Sequence, residues 1–307
     1  MSRIVSGAAL GLAAALGLTL AACGGSSKSS NPLSAPSGST GTVVVGSANF
    51  PESQLVGEIY AQALEAKGIK VTRRFNIGAR EVYYPQVVSG AITVMPEYNG
   101  ALLTTSVDKT SKAVSTADVN AALTAKLPSS VEILSSSSAE DKDSVTVTAA
   151  TAKTDHLTSI SDLTPVAKNF VIGGPPEFKT RADGIIGLKN VYNLTFKRFQ
   201  PLDEAGPITV AALKGGKVQA ADLFTTDPSI LLNNFFVLQD PKNLFAAQNV
   251  TPLVYKKGAN ATVVASLNAI SAKLTTASLI QMNKLTGVNK QDYATVAKNW
   301  LSQNGLG

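Results

Sequence analysis

The chain has 307 residues, a formal net charge of +6 at pH 7, one histidine and one cysteine. So few His and Cys residues exclude most metal sites and a Cys-His nucleophile pair, and the sequence holds no phosphate-cradling GxxxxGK[ST] segment. The basic residues are dispersed rather than gathered in a stripe, so nucleic acid is not an expected partner. We therefore expect no enzyme, metal or cofactor. A hydrolase that uses carboxylates alone stays open, although no carboxylate pair stands out.

Residues 1–22 predict a signal peptide. Arg3 precedes an apolar run from about Ala8 to Ala22, which is shorter than the about 20 residues that span a bilayer. The run ends in Leu20-Ala21-Ala22-Cys23, which resembles the bacterial lipobox and implies a lipid on Cys23. Residues 23–41 are rich in Gly, Ser and Pro and predict a flexible linker. We expect a folded body outside the cytoplasm, held at the membrane by this lipid anchor.

Residues 42–143 predict the first part of a first lobe. The apolar spacing predicts strands over 42–46, 69–75 and 91–95, with helices over 51–67 and 80–89, the second despite Pro85. A β-α-β-α-β series requires a parallel sheet with helices on its faces. The first lobe is therefore predicted to be a small doubly wound unit.

Residues 144–249 predict a second lobe of the same class. Strands are expected over 144–148, 170–172, 196–199 and 219–223, with helices over 182–190 and 208–214. Residues 250–307 predict helices near 261–274, 277–285 and 291–302, which we expect to pack on the first lobe. The chain would then cross between the lobes near Asp143 and near Asn249, forming a two-segment hinge.

Four loops follow the predicted strands and should face each other across the cleft between the lobes. They are residues 47–52, 96–99, 173–181 and 224–227. Ligands of open α/β sheets bind beyond the carboxyl ends of the strands, near helix N-termini. We expect a small molecule to bind there and to be buried by hinge closure.

Six motifs along the chain carry a family resemblance. They are GSANFPE at 46–52, MPEYNG at 95–100, RADG at 181–184, PLD at 201–203, ALKGG at 212–216 and DLFTTD at 222–227. In order and spacing the chain resembles the glycine betaine/choline/carnitine-binding proteins of ABC transporters. The resemblance implies a two-lobed α/β fold of the type II periplasmic-binding-protein class.

The resemblance also implies a function. The protein would be a monomeric lipoprotein that binds a quaternary ammonium compound of the glycine betaine, choline or carnitine class and delivers it to permease and ATPase subunits. One alternative is the same fold binding an uncharged or bulkier aromatic solute. Another is an envelope sensor or scaffold lipoprotein without a role in transport.

The resemblance places Tyr98 and Phe224 as aromatic faces for a trimethylammonium group and Arg181 as the partner of a carboxylate. This sequence differs from the family at Val145, or a residue beside it, and at Gln248, where the family commonly has further tyrosines. Two missing faces would cost roughly 1–4 kcal/mol of binding free energy unless other aromatic side chains replace them. The candidates for replacing them are Tyr83, Tyr84 and Phe178. At Ala48 the family often has Lys. The resemblance implies ten ligand-binding residues in all, which are Ala48, Asn49, Phe50, Tyr98, Asn99, Val145, Arg181, Phe224, Thr225 and Gln248.

Overall fold

The structure is a computed structural model, and it describes residues 41–307. The predicted signal peptide and Cys23 lie outside these residues. The first of two five-stranded sheets has the strand order β2-β1-β3-β10-β4. Strands β1, β2 and β3 are parallel, and β10 is antiparallel to both β3 and β4. The bounds are β1 Thr42–Gly46, β2 Lys70–Arg74, β3 Val94–Tyr98, β4 Val131–Ile133 and β10 Val250–Tyr255.

The second sheet repeats this arrangement with the order β7-β6-β8-β5-β9. Strands β6, β7 and β8 are parallel, and β5 is antiparallel to β8 and β9. In both sheets, three parallel strands are followed by an antiparallel strand that arrives from the other lobe. The bounds are β5 Asp143–Thr148, β6 Val171–Gly174, β7 Arg198–Pro201, β8 Ala220–Phe224 and β9 Phe235–Val237.

The helices pack on the two sheets and enclose separate cores. Those of the first lobe are α1 Pro51–Glu65, α2 Arg80–Val88, α3 Asn99–Leu102, α4 Thr116–Lys126, α9 Ala261–Lys273, α10 Thr276–Gly287 and α11 Tyr293–Gln303. Those of the second lobe are α5 Ala149–Thr154, α6 Ile185–Tyr192, α7 Pro207–Lys214 and α8 Ser229–Leu232. The predicted two-lobed α/β fold is confirmed.

Helix α1 shows why the apolar period predicted this part of the chain well. Pro51 occupies the first turn, where its missing N–H costs nothing, and Leu55 and Ile59 are fully buried in the core of the first lobe. The chain turns just after the helix at Gly68, whose φ of 76° suits glycine. Helix α1 also contacts all three C-terminal helices, α9, α10 and α11.

Helices α9 to α11 pack on the first lobe. Val263, Leu279 and Trp300 all belong to its hydrophobic core. Within residues 41–307 no single helix is long and apolar enough to cross a membrane. The segments Ala261–Ser271 and Thr276–Gly287 pass that test only as a pair bent by 91°.

Two connecting segments link the lobes, residues 134–142 and 238–249. They run side by side, because the Asp141 N–H donates to the Gln248 carbonyl at 3.1 Å and the Val250 N–H donates to the Ala139 carbonyl at 2.9 Å. The paired segments form the two-segment hinge, and their hydrogen bonds lie next to the cleft.

Strand β10 was not predicted, and it makes the first sheet mixed rather than parallel. Pro252 lies in the middle of β10, and a proline inside an apolar run argues against a central strand. Here Pro252 lies opposite Pro96 of β3, and its carbonyl accepts a hydrogen bond from the Leu134 N–H. The strand therefore forms in a central position despite the missing donor.

Candidate functional site

The candidate site lies between the lobes, at the carboxyl ends of the parallel strands. Phe50 follows β1 and Tyr98 ends β3 in the first lobe, whereas Arg181 follows β6 and Phe224 ends β8 in the second. All four side chains line one cavity, to which the hinge segments and α2 also contribute. The lining residues are Phe50, Arg80, Tyr98, Ala101, Asp141, Asp143, Arg181, Glu204, Phe224 and Gln248.

Three aromatic rings, Phe50, Tyr98 and Phe224, form the wall of the cavity and are called the aromatic trio below. The Phe50 ring centroid lies 5.8 Å from that of Tyr98 and 5.0 Å from that of Phe224, with tilted planes. Phe224 belongs to the second lobe but packs against the core of the first. The trio therefore exists only when the two lobes are together.

Tyr98 is fixed by a buried acid at the start of α1. Its hydroxyl donates to Glu52 Oε1 at 2.7 Å, and burial together with the Glu52 carboxylate holds the pKa of Tyr98 well above its usual value. The phenol stays neutral, and its ring orientation is set by this hydrogen bond. Glu52 also accepts from the hydroxyl of Thr226 in the second lobe at 2.5 Å.

Three carboxylates, Asp141, Asp143 and Glu204, line the cavity beside the aromatic trio. Burial, reinforced by the neighbouring Glu52 charge, raises the pKa of Asp141 well above its usual value. Burial also raises the pKa of Glu204, to about 7. Such groups are stabilised in their ionised form by a positive charge, so the cavity is chemically suited to a cation.

The two arginines of the cavity are both paired with glutamates. The Arg80 guanidinium donates to the fully buried Glu97 carboxylate at 3.0–3.1 Å. Arg181 donates through two nitrogens to the two oxygens of Glu81, each at 3.1 Å. Neither positive charge is left without a carboxylate partner inside the protein.

Several of these contacts join one lobe to the other. Arg181 with Glu81, Thr226 with Glu52, and Asp183 with Thr104 at 2.9 Å each pair the second lobe with the first. The cavity between the lobes has a volume of about 20 Å³, which is room for about one water. The structure is thus a closed arrangement, and a solute reaches the cavity when the lobes separate.

Loss of the Arg181–Glu81 pair is expected to favour the open arrangement. Glu81 is 48% exposed, so the pair contributes less than about 1 kcal/mol, but it contributes only when the lobes are closed. Glu81→Gln should therefore weaken ligand binding by up to about fivefold and leave the melting temperature almost unchanged. Calorimetric titration would measure the affinity, thermal unfolding the melting temperature, and small-angle scattering the shift toward the open arrangement. Glu65→Gln, which disturbs the pair with Arg73 inside the first lobe, is the matched control, and an equal loss of affinity there would contradict this role.

Five of the ten residues implied by the resemblance line the cavity, namely Phe50, Tyr98, Arg181, Phe224 and Gln248. Asn49 lines an adjoining groove. The other four lie outside these surfaces, and their role in binding stays a prediction. Ala48 is buried beside Ser53, Asn99 bonds to Asn120 and to the Asn249 N–H, Val145 is buried in the core of the second lobe, and Thr225 accepts from the Lys142 N–H.

The three candidates for replacing absent aromatic faces do not line the cavity. Tyr83 is buried and donates to Glu97 at 2.9 Å, and Tyr84 packs on the core of the first lobe. Phe178 is buried in the second lobe against Phe199. The third aromatic face comes instead from Phe50.

Sequence reasoning did not identify Arg80, Asp141, Asp143 or Glu204 as cavity residues. Arg80 begins α2 and Glu204 follows β7, so both occupy ends of elements where side chains of an α/β fold meet a ligand. The position of Arg80 and Glu204 at the ends of elements was the signal in the sequence that both could line the cavity. The two aspartates lie at the hinge, and no local pattern marks them.

Two larger grooves adjoin the cavity between the same lobes. One, of about 370 Å³, shares Phe50 and Phe224 with the cavity and is otherwise mainly apolar, with Val210, Leu232 and Val288 in its lining. The other, of about 480 Å³, is bounded by Asn49 and Pro175. Among residues 41–307 no group of three or more His, Cys, Asp or Glu side chains is arranged to hold a metal ion.

Two α/β lobes that close over a cavity by a two-segment hinge define a solute-binding protein of the type II periplasmic class. Residues 41–303 match the family described as the substrate binding domain of the ABC-type glycine betaine transport system. The chain belongs to this family and is a substrate-binding protein of a glycine betaine-type ABC transport system.

Individual relatives are more distant. The chain is 26% identical over 286 residues to the glycine betaine-binding protein YehZ of Escherichia coli, covering 89% of this chain and 94% of that protein. It is also 26% identical to the ergothioneine transport permease/ergothioneine binding protein EgtU of Helicobacter pylori, covering 86% of this chain and 48% of that protein. A solved glycine betaine/carnitine/choline ABC transporter structure superposes with a TM-score of 0.65 at 21% identity, over 86% of this chain and 99% of that one. Lactococcal OpuAC, closed on glycine betaine, gives 0.62 at 18% identity, over 86% and 96% of the two chains.

Proposed function

We propose that the protein binds a quaternary ammonium compound between its lobes and passes it to an ABC permease. The observation that carries this proposal is the aromatic trio, built from both lobes and lying beside three carboxylates in one cavity. Family membership supports transport rather than a sensor or scaffold role.

The chemistry of the ligand class explains the fit. A trimethylammonium group has no N–H to donate, so aromatic faces and carboxylates hold it by cation–π and Coulomb attraction. Each cation–π contact contributes about 0.5–2 kcal/mol, the larger values applying away from water. Three faces would therefore contribute roughly 1.5–6 kcal/mol, and closure of the lobes removes the water that weakens them.

A bulkier solute with a heteroaromatic part is the second candidate. The apolar groove of about 370 Å³ continues from the cavity past Phe50 and Phe224 and could accept such a part. The name of the Helicobacter pylori relative, which includes ergothioneine binding, points in the same direction. Gln248 lies in the cavity where the family resemblance places another aromatic residue. This difference also favours a ligand other than glycine betaine.

Calorimetric titration would test the proposal. Protein lacking residues 1–23 keeps all of residues 41–307, which hold both sheets and the hinge. We expect saturable binding of at least one of glycine betaine, choline, carnitine and ergothioneine, with proline as the control that lacks a trimethylammonium group. Binding of proline, or of an uncharged or aromatic solute, with none of the quaternary ammonium compounds, would refute the ligand class and keep the fold.

The cellular setting is part of the same proposal. Cys23 follows a lipobox-like segment and would carry the lipid anchor, and residues 24–41 would let the body reach the permease from outside the cytoplasm. Permease and ATPase partners agree with the ABC-type transport system that the family description names. The protein would act with them as a monomer.

A further inference from the structure

Glu204 lies at the junction of all three spaces between the lobes. It follows β7 and lines the cavity as well as both adjoining grooves. The residue as a whole is partly exposed, but its Oε2 atom is buried and has no hydrogen-bond partner among residues 41–307. A buried carboxylate oxygen without a partner is costly unless something else satisfies it.

The other carboxylates of the cavity are satisfied from within the protein. Asp141 accepts from the Thr226 N–H at 2.9 Å, and Asp143 Oδ2 accepts from the Gln248 amide at 3.0 Å. Glu204 therefore differs from its neighbours, because it lines the ligand space and one of its oxygens is buried without a donor.

The charges of both arginines are already balanced by glutamates. Both Glu81 oxygens are occupied by Arg181, and both Glu97 oxygens by Arg80. A zwitterionic ligand would bring a carboxylate into a cavity that already contains acids and has no unpaired arginine. A ligand with a positive charge alone would meet three carboxylates, Asp141, Asp143 and Glu204, and two arginine charges that glutamates already balance.

We propose that Glu204 is the specificity-determining residue of the cleft, and that it selects quaternary ammonium compounds of net positive charge, without a carboxylate, over zwitterionic betaines. The inference rests on the proposed function, and it restricts the ligand class to quaternary ammonium compounds that carry a net positive charge. The trimethylammonium group would lie on the aromatic trio, with Glu204 supplying the counter-charge.

Titration of choline and glycine betaine at pH 8 would test the selection. The two ligands share the trimethylammonium group and differ in carrying a hydroxyl or a carboxylate. Wild-type protein should bind choline at least about tenfold more tightly. Glu204→Gln should weaken choline binding by about tenfold and glycine betaine binding by much less, so that the preference is lost. Glu177→Gln removes a neighbouring charge outside the cavity and should change both affinities by less than about twofold.

The outcomes separate this inference from the proposed function. Tighter binding of glycine betaine than of choline would overturn the role of Glu204 and leave the quaternary ammonium class intact. An equal loss for both ligands in Glu204→Gln would also overturn it. Absence of binding by every quaternary ammonium compound would instead refute the function on which it rests.

The pH dependence of affinity gives a readout that a structural role would not produce. Because the pKa of Glu204 is raised to about 7, choline affinity should rise with pH through this region as the carboxylate ionises, and choline binding near pH 7 should release protons. Glu204→Gln should lose this pH dependence, and a rise that persists in this variant would contradict the assignment. The charged groups that act on Glu204 are Arg181 before α6, Glu177 after β6, Arg80 on α2 and Asp143 on β5. The groove of about 370 Å³ that Glu204 lines also contains Glu52, Asp141, Asp227 and Lys290, and the groove of about 480 Å³ contains Asp203.

Discussion

Replacement of Glu97 by alanine is expected to lower the free energy of unfolding by about 3–5 kcal/mol. Glu97 is fully buried in β3 and accepts hydrogen bonds from the Arg80 guanidinium, the Tyr83 hydroxyl and the Tyr98 N–H. Its removal leaves Arg80, itself only 7% exposed, as a buried charge without its carboxylate. Breaking one side of a buried pair is more damaging than removing both sides, because the remaining charge has lost its water as well as its partner.

Urea-induced unfolding followed by circular dichroism would measure the loss. The double variant Glu97→Ala with Arg80→Met should recover part of it, since no buried charge is then left unpaired. Glu65→Ala removes an exposed carboxylate from the pair with Arg73 and should cost less than about 1 kcal/mol. Equal destabilisation by the Glu97 and Glu65 variants would show that burial of the Glu97 pair does not matter.

The alternation of strands and helices was readable in the sequence because local period and local structure agree. Helix α1 combines an apolar stripe with Pro51 at its start, and β1 coincides with the predicted strand over 42–46. Strand β10 was not predicted, because Pro252 contradicts the usual pattern of a central strand. Its place in the sheet depends on Pro96, more than 150 residues earlier in the chain, and no local window contains that information.

The cavity was predictable only in part for the same reason. The carboxyl ends of parallel strands mark where Phe50, Tyr98 and Phe224 should meet, and the structure brings all three together. The properties of Glu204 depend instead on what surrounds it. Burial raises its pKa despite the nearby Arg181 charge, and its Oε2 atom has no hydrogen-bond donor among residues 41–307. No sequence motif indicates the raised pKa of Glu204 or its unpartnered oxygen.

Closure and recognition depend on the same side chains. Glu52 holds the Tyr98 ring through its hydroxyl and binds Thr226 of the second lobe, so it orients the aromatic trio when the lobes meet. Asn283 of α10 also donates to Glu52. A ligand bound on the trio would add contacts between the lobes to these hydrogen bonds, and it would shift the population toward a closed form that encloses it.

Phe224→Ala is expected to weaken choline binding by about thirty- to a hundredfold. The substitution removes one aromatic face and the contact with Phe50, whose ring centroid lies 5.0 Å away, so cation–π attraction and apolar contact between the lobes are lost together. These losses amount to about 2–3 kcal/mol of binding free energy. Calorimetric titration would measure the change, and Phe236→Ala is the matched control, because Phe236 lies on β9 of the same lobe and is 38% exposed.

Phe224→Leu separates the two contributions to binding. Leucine keeps much of the apolar volume but lacks the negative π face, so choline should still lose about tenfold in affinity. The uncharged analogue 3,3-dimethylbutan-1-ol, in which carbon replaces the ammonium nitrogen, should bind the wild-type and leucine proteins almost equally. Parallel losses for choline and its carbon analogue would mean that Phe224 acts through apolar contact alone. Wild-type choline affinity in Phe224→Ala would place the ligand away from the aromatic trio.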